Sequence, residues 1–397
     1  MNRDDVSRCP VCESSEVLDL LRIDQVPVYC NVLWPDKQQA LAAACGEMAL
    51  GFCTDCAHLF NTAFDQRLTD YTAAYDNSLH YSPRFNQYAE QLAASLVQRH
   101  ALHGKRIVEI GCGKGDFLRM LSVTWGNRGF GFDRSFEPGR ADTPTGDNIQ
   151  YFQDFYNAEY ARLCNPDFLC CRHVLEHIEE PLNFLRSLRG SLEGRTDVSF
   201  YCEVPNGLFT LKDLGIWDLI YEHCGYFSLN SLSRAFSSSG FDVVAADESF
   251  GGQFIWVEAR LADESSQRGT ATRLTAEPVR QYADSFASQY RATVDAWRDR
   301  LSRFSEEGRR AVVWGAGSKG VTFLNIAGID AGIDFVVDVN PHKQGRYIAG
   351  TGQQVVSPEA LRGVGATDVI VMNPMYLDEV TAAVLAMGLD LQVVSVQ

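Results

Sequence analysis

Ile107-Val108-Glu109-Ile110-Gly111-Cys112-Gly113-Lys114-Gly115-Asp116-Phe117 reads as a buried strand that breaks into a glycine loop and restarts as a helix. Glycines at alternate positions let the backbone turn tightly and approach a ligand closely, which a side chain there would prevent. The pattern Glu-x-Gly-x-Gly-x-Gly differs from the dinucleotide fingerprint, and it lacks the Lys-Ser or Lys-Thr that ends a phosphate-cradling loop. Glu109 adds an acidic residue where a phosphate binder would want none.

The loop resembles the first motif of class I S-adenosylmethionine (SAM) methyltransferases, whose cofactor carries an amino-acid tail and a sulfonium cation instead of phosphates. On that resemblance Glu109, Gly111, Gly113 and Gly115 are cofactor-binding residues. From Lys105 strand and helix alternate, as in a parallel sheet covered on both faces. A second strand, 129–132, ends in Asp133, about twenty residues beyond the loop, where an acidic side chain can bind both hydroxyls of a ribose. The competing reading of Asp133 is a helix N-cap before Ser135. A third strand, 149–152, leads to Asp154 and Phe155, suited to an adenine amino group and its ring face.

A fourth strand, 168–171, delivers Arg172-His173-Val174-Leu175-Glu176-His177 to the carboxyl edge, where ligands bind in open parallel sheets. His173-x-x-Glu176-His177 is also the inverted zinc-protease signature. Its place after the fourth strand of a cofactor-binding sheet argues against that reading, and Val-Leu-Glu-His at this point resembles the corresponding methyltransferase segment. His173 is therefore assigned to the cofactor, and His177 to the floor of the active site or to a satisfied core. A further strand, 197–203, closes with Val204-Pro205-Asn206, and after a helical insertion comes Ile220-Tyr221-Glu222-His223-Cys224-Gly225-Tyr226-Phe227-Ser228. Histidine titrates near neutrality, so His223 reads as a general base with Glu222 as a carboxylate partner that raises its basicity. A surface Glu-His pair is the bland alternative. A helix at 228–236 and a hairpin of 241–246 with 254–259 complete the unit.

Ahead of this core, Cys9-Pro10-Val11-Cys12 is answered about forty residues later by Cys53-Thr54-Asp55-Cys56. Each pair can clasp one edge of a tetrahedral thiolate site, and four thiolates leave no open position, so the expected zinc is structural. A segment near 1–62 has little core of its own and needs such a staple; the alternative is four unliganded thiols, and Cys30, Cys45 and His58 are spare candidates without paired spacing. Residues 64–100 carry Tyr71, Tyr75, Tyr81 and Tyr88 before an apolar-periodic helix at 88–97. Tyr75 and Tyr81 are carried as site candidates that close over cofactor and substrate, against the reading that they cover a sheet edge.

After the core, 278–304 reads as one long amphipathic helix, a spacer between domains, with Tyr282, Phe286, Tyr290, Val294, Trp297 and Leu301 at steps of three and four. Ala311-Val312-Val313-Trp314 then runs into Gly315-Ala316-Gly317-Ser318-Lys319-Gly320, with Asp338 closing the next strand. By itself this is a dinucleotide fingerprint. A glycine loop opening a helix beside Lys319 suits any pyrophosphate, so Gly315, Gly317, Lys319 and Gly320 are assigned to a substrate phosphate. A loop that only packs helix on strand is the alternative.

Thirty-five basic against 51 acidic residues leave a formal charge of -16, which repels polyanions, so nucleic acid and acidic membranes are not expected partners. No run of eighteen apolar residues occurs, and Met1-Asn2-Arg3-Asp4-Asp5 precedes no apolar stretch. A cytoplasmic protein is expected, with its 12 cysteines as free thiols or metal ligands.

The four-cysteine head, the core with Glu203-Val204-Pro205 and then Glu222-His223-x-x-Tyr226-Phe227-Ser228, and the C-terminal Gly-x-Gly-x-x-Gly together resemble the three-domain sugar C-methyltransferases of bacterial deoxysugar pathways. The resemblance covers nearly the whole chain. It implies a zinc-binding domain at 1–62, a SAM-dependent methyltransferase core at 63–275, and a linker helix with a C-terminal Rossmann-like domain at 276–397. The fold class is thus α/β, a class I methyltransferase sheet flanked by a small four-Cys zinc domain and a Rossmann-like α/β domain.

The implied activity is methyl transfer to a carbon beside the ketone of a nucleotide-linked keto-sugar, with a base at His223. A carbon acid is far weaker than imidazolium, so an oxyanion stabiliser is also required, for which Tyr221, Tyr75, His177 or a water are the candidates. One departure stands out: the family reads Tyr-His-Glu-His where this chain has Ile220-Tyr221-Glu222-His223. A hydroxyl or amine acceptor on another small molecule remains open, as do an NAD-binding enzyme with a SAM-sensing domain and a nucleotide-holding scaffold.

Overall fold

In the computed structural model the described residues are 8–69, 79–136, 148–192, 194–262, 277–328 and 332–397. The glycine-loop strand, Arg106–Ile110, lies between Phe168–Arg172 and Arg128–Phe132 in a seven-stranded sheet. Ile107 and Val108 are fully buried, as a central parallel strand covered on both faces requires. Chain order runs outward from this strand to Arg128–Phe132 and Ile149–Phe152, then back to Phe168–Arg172 and Ser199–Pro205, all parallel. The reversal places a crevice at the carboxyl ends of Arg106–Ile110 and Phe168–Arg172, where open α/β sheets hold their ligands. Phe254–Leu261 and Phe241–Ser249 close the sheet as the expected antiparallel hairpin.

The helix read at 88–97 extends over Pro83–His100. Ser82 Oγ accepts the Phe85 N–H at 3.2 Å and Pro83 occupies the first turn, so the start is set by a side-chain cap that apolar periodicity does not reveal.

The N-terminal sheet pairs Val17–Pro27, Cys45–Cys53 and Leu59–Asn61 antiparallel. Its fourth strand, Gly225–Tyr226, comes from the far side of the chain and pairs with Leu59 and Phe60. This pairing pins the His223 segment between the cysteine-rich head and the core. The C-terminal sheet is all parallel, in the order Gln354–Val356, Phe335–Val337, Ala311–Trp314, Asp368–Val371, Gln392–Ser395.

The long helix runs over Glu277–Glu306, but it is not a spacer. Its stripe of Phe286, Tyr290, Val294, Trp297 and Leu301 is buried in one cluster with Val26, Met48 and Phe52 of the N-terminal sheet and Val313, Phe323 and Ile370 of the C-terminal domain. Trp297 Nε1 donates to the Val396 carbonyl at 3.0 Å. The periodicity located the helix; what it packs against depends on residues hundreds of positions away.

In the second glycine loop, a Cβ on Gly320 would lie 2.0 Å from the Gly315 carbonyl oxygen, a backbone atom that cannot swing aside. Gly320→Ala must therefore part the helix Ser318–Ile326 from its loop. The expected cost is about 3 kcal/mol, seen as a lower midpoint in thermal unfolding; an unchanged midpoint would refute that close approach.

Candidate active site

A cavity of about 410 Å3 opens at the switch point and is lined by Glu109, Gly111, Gly113, Asp133, Asp154, Phe155, His173 and His177. Gly111 has φ +71°, and a Cβ there would meet Val174 Cγ2 at 2.1 Å, so the two loops at the carboxyl edge close on each other only through glycine. Gly115 does not line the cavity. It caps the helix Asp116–Ser122 with its back to Tyr151, which makes it a packing glycine. Asp133 Oδ2 accepts the Gly113 N–H at 2.9 Å, and Oδ1 accepts both N–H and Oγ–H of Ser135 at 2.7 Å. No helix starts at Ser135 among the described residues, so Asp133 closes a turn there instead of capping one, and it braces the glycine loop while bordering the cavity.

Asp154 accepts from the Phe155 N–H at 2.8 Å and from the Tyr160 hydroxyl at 2.9 Å. Phe155 is 64% exposed beside the cavity, with the Arg134 guanidinium 5.2 Å from its ring centre, and so offers a face for stacking. Glu109 is buried at the cavity floor, its Oε2 has no hydrogen-bond partner among the described residues, and burial pushes its carboxyl up to about 8. At the floor of a cavity, an orphaned carboxyl oxygen is placed to meet a donor or cation on a bound ligand. The donor set therefore fits SAM.

Behind the crevice, Glu203 accepts from Arg172 Nε at 2.9 Å, from the Tyr201 hydroxyl at 2.9 Å and from the Tyr88 hydroxyl. Burial alone would raise this carboxyl, but Arg172 and His173 outweigh it and hold Glu203 well below the ordinary carboxylate range. His173 Nε2 stands 3.4 Å from Glu203 Oε1, and the His173 backbone has φ +55°, a left-handed conformation that a β-carbon disfavours. Such strain is held only where neighbours over-determine it. Here it aims the ring into the crevice.

A second cavity, about 220 Å3, adjoins the first, and Leu79 and His173 line both. Glu176 and His223 border it from the core, Tyr81 from just ahead of the helix Pro83–His100, and Gly315, Gly317, Lys319 and Gly320 from the C-terminal loop. Chemically distinct walls therefore face one space. Lys319 Nζ is 2.5 Å from Asp218, another wall residue. Asp338 accepts the Ala316 N–H at 2.8 Å and the Asn340 N–H at 2.8 Å, so both its oxygens brace the loop. In a dinucleotide site that carboxylate faces a ribose instead. Asp338, Asn340 and Lys343 also border the cavity, and only Asp338 had a signal in the sequence, its place at a strand end.

Two of the proposed catalytic partners are elsewhere. Glu222 is turned away from His223: its Oε2 accepts the Cys30 N–H at 2.8 Å, and burial pushes it up to about 8. It anchors the Cys30 loop, so it neither orients His223 nor raises its basicity. Tyr221 is fully buried, and its hydroxyl accepts the Asp65 N–H at 2.8 Å, away from both cavities. Ile220 is buried in the same core, so the two positions that depart from the sugar-methyltransferase pattern border neither cavity. Adjacent residues in an irregular segment face different ways, which sequence spacing does not convey. Tyr75 and Tyr71 lie outside the described residues.

His177 Nδ1 bonds the Glu222 carbonyl at 2.8 Å, its ring centre is 4.8 Å from that of His223, and burial pushes its pKa down to about 4. His223 Nδ1 is buried without a hydrogen-bond partner among the described residues. Burial first, and then His177, His173 and Lys319, drive its pKa well below the usual histidine value. It is a neutral imidazole at pH 7.

The four cysteines converge as their spacing predicts. Cys9 Sγ is 3.5 Å from Cys56 Sγ and Cys12 Sγ is 3.5 Å from Cys53 Sγ, with all four sulfurs within 4.8 Å of one another. Cys30, Cys45 and His58 are not in the cluster; buried His58 stacks on Phe60 instead. Among the described residues no helix is long and apolar enough to cross a membrane.

The known proteins to which this chain is similar are methyltransferases. A family profile described as a methyltransferase domain matches residues 85–246, and one described as a C-methyltransferase C-terminal domain matches residues 251–388. The C-methyltransferase NovU of Streptomyces niveus is 25% identical over 385 residues, covering 90% of this chain and 87% of its own. Magnesium protoporphyrin IX methyltransferase of Synechocystis PCC 6803 with bound S-adenosylhomocysteine is 20% identical over 45% of this chain and 84% of its own, at a TM-score of 0.34. The 1,6-didemethyltoxoflavin-N1-methyltransferase of Burkholderia thailandensis is 15% identical over 53% of this chain and 97% of its own, at a TM-score of 0.35. With a methyltransferase domain and a C-methyltransferase C-terminal domain in succession along it, the chain is a methyltransferase of the class I fold.

Proposed function

We propose that the protein transfers a methyl group from SAM to a carbon alpha to the ketone of a nucleotide-linked keto-sugar, with His223 as the general base. The observation that carries this reading is the pair of adjoining cavities. The first has the cofactor-facing residues, and the second is bordered at once by His223 and by the glycine loop with Lys319. An acceptor that spans the second cavity would place a phosphate at the loop, where backbone N–H groups and an ammonium suit it, and a sugar at the histidine. Lys319 would then exchange Asp218 for the phosphate.

Glu109, Asp133, Asp154 and Phe155 would hold the cofactor. Bound SAM supplies an electrophilic methyl on a sulfonium. The neutral His223 imidazole would take the alpha proton, and His173, which lines both cavities, would keep the two ligands in register. The cysteine quartet is proposed to hold a structural zinc. A tetrahedral site with bonds of about 2.3 Å has sulfur–sulfur edges of roughly 3.8 Å, close to the separations present.

Purified protein incubated with SAM and a panel of nucleotide-linked keto-sugars should yield, by mass spectrometry, a product heavier by one methyl, carbon-bound by NMR. Absence of product from every keto-sugar, with product from a hydroxyl or amine acceptor, would overturn the proposal.

A further inference from the structure

We propose that Glu176 acts as a neutral carboxylic acid that donates a hydrogen bond to the acceptor's ketone oxygen as the enolate forms. The inference rests on the C-methylation reading above and supplies the part it lacks. A base of lowered pKa cannot by itself carry a carbon-bound proton away; the negative charge that appears on oxygen needs a donor. Tyr221 is engaged with Asp65, Glu222 with Cys30, and the neutral ring of His177 already has its Nδ1 on the Glu222 carbonyl, which leaves Nε2 as an acceptor.

Glu176 is placed for the task. It borders the acceptor cavity and is 2% exposed; its Oε2 has no hydrogen-bond partner among the described residues, and one of its oxygens lies within 4.8 Å of ring nitrogens of both His177 and His223. The short helical turn Leu175–His177 that carries it is tied to the His223 segment, since Cys224 Sγ donates to the Glu176 carbonyl at 3.4 Å. Base and acid therefore sit on two segments fastened to each other.

The ionisable groups that face Glu176 are His173, 3.8 Å away through Nδ1, together with His177, His223, Glu203, Cys171 and Cys224. None of them is a cation at pH 7 by its own shift: burial drives the three histidines down and the Cys224 thiol up, the hydrogen bond with Cys202 and then burial drive Cys171 up, and Glu203 is anionic. Burial raises Glu176 to about 8, and Glu203 adds to the rise. A carboxylic acid kept neutral by its surroundings donates a hydrogen bond where a carboxylate accepts one, the same device by which ketosteroid isomerase holds an enolate. In the balanced step His223 takes the carbon proton, the electron pair moves to oxygen, and the Glu176 O–H donates without transferring its proton.

The test compares wild type, Glu176→Gln and Glu176→Ala with SAM and whichever nucleotide-linked keto-sugar wild type converts, across pH, together with infrared spectra of the free proteins. Glu176→Ala should lose roughly a hundredfold or more in turnover with SAM affinity retained, and Glu176→Gln, which keeps an N–H donor, should lose much less. The wild-type rate should fall as pH rises through about 8, where the acid becomes a carboxylate, and this limb should be absent from the Gln variant. Glu109 and Glu222 are held up by burial in the same way, so the protonated-carboxyl infrared absorption at pH 7 should lose one component in Glu176→Gln rather than vanish.

Normal turnover by Glu176→Ala, or an unchanged alkaline limb in Glu176→Gln, would overturn the assignment while leaving C-methylation standing. So would a second divalent metal per chain that is lost on Glu176→Gln, because the same three side chains would then be ligands. If wild type converts no keto-sugar, the C-methylation reading fails first, and a protonated-carboxyl absorption left unchanged by Glu176→Gln would remove the neutral acid as well.

Discussion

His223→Asn is expected to abolish measurable methyl transfer while leaving the dissociation constant for SAM nearly unchanged. The substitution keeps a polar side chain of similar reach but removes the lone pair that accepts the proton, a loss of roughly a thousandfold for a general base. His223 borders the second cavity and not the first, where SAM is proposed to bind, so calorimetric titration with SAM should be nearly indifferent to the change. The pH profile gives a separate sign. The His223 pKa is driven well below 6.5 by burial and by His177, so the base is already unprotonated at neutral pH, and the acid limb of the rate should lie far below the usual histidine range. If the Asn variant turned over normally, or if the wild-type acid limb fell near 6.5, the base would have to be sought elsewhere.

Zinc removal is expected to have the largest effect on stability. The quartet draws Cys9 and Cys12 on one loop against Cys53 and Cys56 at the end of the strand Cys45–Cys53, and those loops pack beside the Gly225–Tyr226 strand through Phe60 and Phe227. Structural zinc sites contribute on the order of 10 kcal/mol of binding free energy, which becomes folding free energy because the site does not exist in the unfolded chain. Cys53→Ser, or a strong chelator, should therefore melt the N-terminal sheet. About one zinc per chain in wild type should fall to none by elemental analysis, and the unfolding midpoint should drop steeply. Activity should go with it, since Gly225–Tyr226 fixes the His223 segment to that sheet. A chelated protein with an unchanged midpoint would make the cysteines a cluster of ordinary thiols.

Much of this architecture was legible in the chain because its signals are local. The glycine loop, the strand-end carboxylates Asp133 and Asp154, and the two Cys-x-x-Cys pairs each declare themselves by spacing, and their backbones do what that spacing demands. The facing of Tyr221 and Glu222 was not legible. In a segment of irregular backbone no periodicity tells which neighbour points inward, and both turned to partners, Asp65 and Cys30, from the N-terminal part of the chain. Glu176 was legible only as part of a histidine-rich run, because what singles it out is its nearness to His223, 47 residues later. The second glycine loop was visible as a phosphate-type motif, whereas its facing the same space as His223 follows from how the domains pack.

The buried stripe of the helix Glu277–Glu306 also bears on how the protein is made. Val26, Met48 and Phe52 leave the ribosome early, yet their packing partners Phe286, Tyr290 and Trp297 are synthesised only after the whole seven-stranded sheet. Contacts of such long sequence separation form slowly, and unpartnered apolar strands are exposed to wrong pairing while they wait. Shortening the chain before residue 277 would therefore cost the first sheet its cover, and the truncated product is expected to aggregate through residues that precede the cut by more than two hundred positions.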